Sequence, residues 1–169
     1  ACTDPHFLEL LYATLTSWGM HRMGTGGAKL VEMAMFRQSL RRLRHRIDAL
    51  RMHRIDHLPA NPHSIFRELW RIIAALRVSS SRSRVVAGSK TLHHLLPNLV
   101  PPIDREYTAD FFKWKGMMQG REREMFFDVF PQLVDIGKRI KPRISRLGRN
   151  GWYTSLTKNI DNAIIGYKK

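Results

Sequence analysis

A single cysteine, Cys2, in a chain of 169 residues excludes an internal disulfide and any cysteine-based zinc-finger spacing. No apolar run approaches the roughly 20 residues that cross a bilayer, and nothing near the start reads as a signal peptide. Stretches alternating apolar with polar are missing, as are internal repeats and low-complexity segments, so strands, solenoids and disordered tails are not expected. Acids are scarce as well. Lysine and arginine number 29 against 14 acidic residues, a formal charge of +15. The expectation is one intracellular, cytoplasmic domain with no membrane partner, folded around an apolar fraction of 43%. Its uncompensated charge favours a polyanion, because each phosphate neutralised releases condensed counterions. Arginine dominates the basic set, and its planar fork suits phosphate oxygens and base edges. Nucleic acid is the expected partner.

What is present is helical periodicity. Asp4-Pro5 starts a first helix, whose buried face is Phe7, Leu8, Leu11, Leu15 and Trp18. A glycine-bearing connector follows over 20–28; its glycines could bring backbone amides close to a phosphate, but it lacks GxxxxGK[ST] and no strand precedes it, so a flexible connector is the favoured reading. Phe36, Leu40, Leu43, Ile47 and Leu50 then form one stripe of an amphipathic helix. Arg37, Arg41, Arg42, Arg44, Arg46, Arg51 and Arg54 crowd its other faces, with Asp48 the only acid among them. Like charges at helical spacing repel, a cost that an anion lying across them would offset. Arg37, Arg41, Arg44 and Arg51 are therefore candidate nucleic-acid contacts.

Asn61-Pro62 opens a further helix with Ile65, Phe66, Leu69, Ile72, Ile73 and Leu76 on its core face, ended by Ser79-Ser80-Ser81. Beyond 104 come an aromatic cluster (Tyr107, Phe111, Phe112, Trp114), an apolar helix from Phe126 to Ile136, a basic connector at Lys141-Pro142-Arg143 and 146–149, and a last helix from Trp152 to Tyr167. The chain reads as a single all-α domain of about seven helices over 1–169, with 79–84 the place where it would divide. His53 and His57 stand at i, i+4 with Asp56 between them, but no third ligand pattern accompanies them; neither a metal nor a cofactor is expected.

The chemistry-bearing stretch lies between. Val85 to Ser89 reads as a small-residue turn delivering Lys90; an apolar helix ends at Pro97; the Pro101-Pro102 turn then delivers Asp104. The residues alone leave two meanings open: a lysine and a carboxylate held near each other, or an exposed lysine followed by the cap of the next helix. Asp161 and Asn162, polar among Ile160, Ala163 and Ile164, read as helix-capping or helix-bridging residues.

Gly88-Ser89-Lys90-Thr91 followed by Pro102-Ile103-Asp104 resembles the core of the helix-hairpin-helix DNA glycosylase superfamily. It is also similar to a group of uncharacterised bacterial and archaeal proteins with an S-K-x-L-H…P-x-L-x-P-x-x-D pattern, met here by Ser89, Lys90, Leu92, His93, Pro97, Leu99, Pro101 and Asp104. The resemblance covers roughly residues 80 to 110. It implies an all-α glycosylase-like fold and a role in DNA repair, with DNA preferred over RNA. Lys90 would attack C1′ of an extruded nucleotide, and Asp104 would activate the attacking group and stabilise the developing sugar cation. Backbone amides at Gly88 and Ser89 would grip a phosphate, with Arg105 beside them. Trp18, His21 and His93 would line the pocket, Trp18 stacking on the base. A non-catalytic DNA- or RNA-binding module, or an interaction subunit whose basic surface meets an acidic protein, remains an alternative. Whether the protein is an enzyme stays open.

Overall fold

The computed structural model describes residues 4–17, 30–81, 83–117, 120–146 and 155–167. Among them lie seven helices and no strand: α1 (Pro5–Leu15), α2 (Met33–Ala49), α3 (His63–Ala75), α4 (Val85–Leu95), α5 (Thr108–Phe111), α6 (Glu122–Arg146) and α7 (Leu156–Tyr167). The all-α expectation holds. The glycine-bearing connector, Trp18, His21 and the start of the last predicted helix lie outside the described residues.

Local chemistry explains the first boundary. Asp4 caps α1, its carboxylate accepting from the amides of His6 (2.9 Å) and Phe7 (3.2 Å), with Pro5 at the first helical position where no amide is needed. The stripe predicted for α2 is buried as read, from Phe36 through Leu40, Leu43 and Ile47 to Leu50. The α3 stripe is buried too, and its Ile72 and Ile73 are fully enclosed. α3 packs against α2, α4 and α6; α7 lies on α6 and α5, and α1 on α4. Phe126 and Phe130 of α6 stack with ring centres 5.1 Å apart, and Phe66 meets Phe130 edge-on at 5.2 Å, forming the aromatic centre of the core. The only strand-like pairing among the described residues is a bridge between Leu30 and Ser79, which ties the approach to α2 to the segment following α3.

Two readings of the sequence are corrected. Val85 to Ser89 is not a turn but the opening of α4, and Lys90 sits in mid-helix; the turn lies earlier, between α3 and Arg84. The small residues are there for contact. A Cβ added at Gly88 would lie 2.9 Å from Ile73 Cγ2 and 3.3 Å from the Ile73 Cα, so only glycine lets α4 come this close to α3. The second correction concerns the basic connector, which is helical through Arg146 although Pro142 removes an amide from α6. Lys138, whose carbonyl loses that partner, is exposed to water that can replace it. Lys141 of the same turn is tied to Asp56, whose side chain is only 1% exposed, so the C-terminal half of α6 is anchored to the loop after α2.

Candidate functional site

The helices frame two distinct concentrations of polar chemistry. One is interior, at the junction of α4, the 96–104 loop and α7. Ser89 of α4 is fully buried, and its hydroxyl accepts from the amide of Ile103 at 3.0 Å. The hydroxyl proton faces the carbonyls of Val86 (3.2 Å) and Ile103 (3.3 Å). This link fastens the residue before Lys90 to the residue before Asp104, so the two candidates share a neighbourhood through their chain neighbours. Asp104 closes the turn that leads into α5, whose N-cap position is Tyr107. Its Oδ1 accepts from the amides of Tyr107 (2.8 Å) and Thr108 (3.3 Å), and its own amide donates to the Thr108 hydroxyl at 3.3 Å. Oδ2 is left outside that turn.

Asp161 of α7 completes the cluster. It is 7% exposed and accepts from Lys158 Nζ at 2.5 Å. Burial pushes its carboxyl above the usual range and the charge of Asp104 adds to this, while Lys158 and Lys90 work against it. Asp161 therefore feels the charges of both Asp104 and Lys90. Above them, His93 is buried and donates from Nδ1 to the Val100 carbonyl at 2.9 Å, and Thr157 of α7 donates to the Pro97 carbonyl. Burial lowers the His93 pKa, and it lowers that of His94, with the neighbouring His93 contributing, to about 4; both imidazoles are neutral at pH 7. Asp161 is the residue the sequence reading undervalued. Its signal was a polar side chain in register with Thr157, Ile160 and Ile164 on the buried face of α7.

The second concentration is a surface cleft of about 990 Å³ between the turn before α4, the residues around Arg105 and the segment leading into α6. Arg84, Arg105, Lys115 and Arg123 supply its cations, Trp70 of α3 an aromatic wall, and Gly116 and Gly120 two positions without a side chain. Both glycines have positive φ, 82° and 77°. Glu106 and Glu122 are its acids. Glu122 is engaged: its carboxylate accepts from Ser83 Oγ at 2.5 Å and from the Arg84 amide at 2.7 Å, closing the N-terminus of α4. A smaller hollow of about 570 Å³ shares Arg123 and adds His63, Arg67, Glu124 and Phe127.

The remaining predicted site residues fall as follows. The Gly88 amide donates to the Arg84 carbonyl at 2.8 Å within α4, and Ser89 is sealed in the core, so neither is available to grip a phosphate. His93 lies among buried groups and lines neither cavity. Arg105 is exposed in the larger cleft. The α2 arginines are largely matched by acids. Arg37 meets Glu9 at 2.7 Å; Arg44 and Arg51 flank Asp48 at 3.4 and 2.8 Å; Arg46 forms a two-pronged pair with Glu68 at 2.5 and 3.0 Å. Burial raises Asp48, but Arg51 and Arg44 outweigh it and its carboxyl sits below the usual range. Arg41 and Arg42 alone on that helix have no acidic partner among the described residues.

Asp56 is likewise committed, to Lys141 and to Arg54 at 3.4 Å, which removes it as a third ligand for His53 and His57. Among the described residues no group of three His, Cys, Asp or Glu is placed to hold a metal ion, and no helix is long and apolar enough to cross a membrane. Comparison of the chain with protein-family models, curated proteins and solved structures finds no match.

Proposed function

We propose that this protein binds nucleic acid, and that the cleft bearing Arg84, Arg105, Lys115 and Arg123 is its principal contact surface. The observation that carries the reading is that cleft: four cations converge on one concavity, in a chain whose formal charge is +15. Arg105 and Lys115 have no acidic partner within ion-pair distance among the described residues, so their charge is available to phosphates. The test is a salt titration of binding to labelled DNA and RNA. Affinity should fall linearly in log–log form, and replacing Arg105 and Lys115 by alanine should lower both the affinity and the slope by close to two counterions. Binding that ignores salt, or is unchanged in the double variant, would overturn the proposal and favour an acidic protein partner.

A second reading, base excision with Lys90 as amine nucleophile and Asp104 as the charge-stabilising carboxylate, is favoured by the Ser89–Ile103 link that holds the two in one neighbourhood. The amine would attack C1′ as the base departs, leaving a Schiff base that borohydride reduces to a stable adduct. Two features weigh on it. Asp104 already spends one oxygen on the amides of Tyr107 and Thr108, and Lys90 lies in the middle of α4 rather than in a turn. Borohydride trapping on abasic and damaged duplexes, with Lys90→Ala alongside, decides. An adduct lost in the variant supports the enzyme, and no adduct in either protein, with no base released, leaves the binding reading alone.

A further inference from the structure

Duplex and unpaired strands present different chemistry to a protein. A duplex shows phosphates and groove edges and hides the faces of its bases; an unpaired strand offers those faces as well. The cleft is furnished for faces. Trp70 forms one wall, its ring held by Phe126 at 5.7 Å centre to centre. Gly116 and Gly120, which also line the cleft, have no side chains, and a Cβ at either would meet nothing within 4 Å.

Arg123 lines both cavities. In the smaller hollow the Phe127 ring lies under the Arg123 guanidinium at 5.4 Å, and Arg67 and His63 provide further donors. Arg123 thus joins two hollows, the larger bearing Trp70 with Arg84, Arg105 and Lys115 and the smaller bearing Arg67 and His63. Phosphate binding alone would call for the cations and not for the Trp70 ring on the cleft wall. The α4 N-terminus does not contribute an anion site, because Glu122 already occupies it.

We infer that the cleft takes an unpaired strand of nucleic acid, with Trp70 stacked on one base and Arg84, Arg105 and Lys115 on the flanking phosphates. The inference rests on the nucleic-acid reading above and narrows it to a substrate class. The experiment compares, by fluorescence anisotropy with the intact protein, labelled oligothymidine, a duplex of equal length and a base-free sugar-phosphate oligomer of equal length. Oligothymidine should bind about tenfold tighter than the duplex and than the base-free oligomer, since a stacked base contributes at least that factor. Trp70→Leu should lose about tenfold on oligothymidine and leave the duplex within about twofold, and Trp70→Phe should retain most of the affinity.

Trp70 also packs on the core. The base-free oligomer therefore tests the stacking with the unaltered protein should Trp70→Leu fail to fold. Salt-dependent binding in which the duplex, or the base-free oligomer, equals oligothymidine would overturn this inference and leave the nucleic-acid reading standing. Absence of salt-dependent binding to any of the three would overturn both.

Discussion

The arginines of α2 and the cations of the cleft look alike in the sequence and differ completely in their surroundings. On α2, Arg37, Arg44, Arg46 and Arg51 each face a carboxylate, two of them supplied by other helices. In the cleft, Arg105 and Lys115 converge on open space beside Trp70. A high count of basic residues therefore says little about where charge is free to act. Ion pairs that bridge helices orient the scaffold, and what remains unmatched marks the surface able to meet an anion.

The sharpest way to break this contrast is to remove charge from each side in turn. Arg105→Ala with Lys115→Ala should weaken nucleic-acid binding about a hundredfold at low salt, taking about tenfold for each charge-assisted contact. Arg44→Ala with Arg51→Ala removes as much charge and should change binding only a few-fold, within screening effects. Equal losses in the two double variants, measured in the same titration, would erase the distinction.

Next in size is the frame that holds the cleft. Gly88→Ala should destabilise the fold by about 2 kcal/mol, because the new methyl forces α4 away from Ile73, and the double variant with Ile73→Ala, itself costly, should lose less than the sum of the two single losses. Urea denaturation of the single and double variants measures both. A Gly88→Ala protein as stable as the parent would mean that the two helices separate freely.

Acid provides a third probe. The His94 pKa falls from the ordinary imidazole value of about 6.5 to about 4 on folding, through burial and the neighbouring His93. Between those values the unfolded chain binds the extra proton, so this contribution is complete above about pH 6.5 and disappears as pH falls toward 4. Allowing for the partial exposure of the ring, it amounts to about 2 kcal/mol at most. His93, also lowered, adds a loss of the same sign. Asp161 works oppositely: with its folded pKa raised, its contribution is present at low pH and declines as pH rises through the carboxyl range. Denaturant midpoints at pH 7 and pH 4.5 for the parent and His94→Gln should show a smaller acid loss in the variant. An identical loss in both would remove His94 from the account.

The smallest effect is expected at a matched pair. Glu68→Gln breaks the two-pronged contact with Arg46, in which Arg46 holds the Glu68 carboxyl below its usual range. A cost within about 1 kcal/mol is expected from so exposed a pair, with a slight rise in nucleic-acid affinity from the released guanidinium. A large rise would mean that α2, too, is poised to bind.

The helices legible from sequence were those whose burial follows the 3.6-residue period over several turns, as in α2 and α3, where stripe and core coincide. α4 was legible only from Lys90 onward. Ala87, Gly88 and Ser89 have the composition of a turn, and only the proximity of Ile73 explains them as a helical contact surface. The charge pairing was illegible for a related reason: Glu9, Glu68 and Asp56 lie far along the chain from the cations they balance, or on elements whose packing is tertiary. The Pro-Pro-Ile-Asp run implied a carboxylate turned back on nearby amides, which Asp104 is, although the N-cap of α5 falls at Tyr107. The cleft was not foreshadowed as a unit, since Trp70, Arg84, Arg105 and Lys115 come from four separate segments.

The Ser89 hydroxyl has one further consequence, on the timescale of hours. Ile103 lies outside every helix, yet its amide is buried and bonded to that hydroxyl. Its hydrogen should therefore exchange with deuterated solvent about as slowly as amides in the middle of α3, and far faster in Ser89→Ala. The 96–104 loop would then open only when the whole domain unfolds.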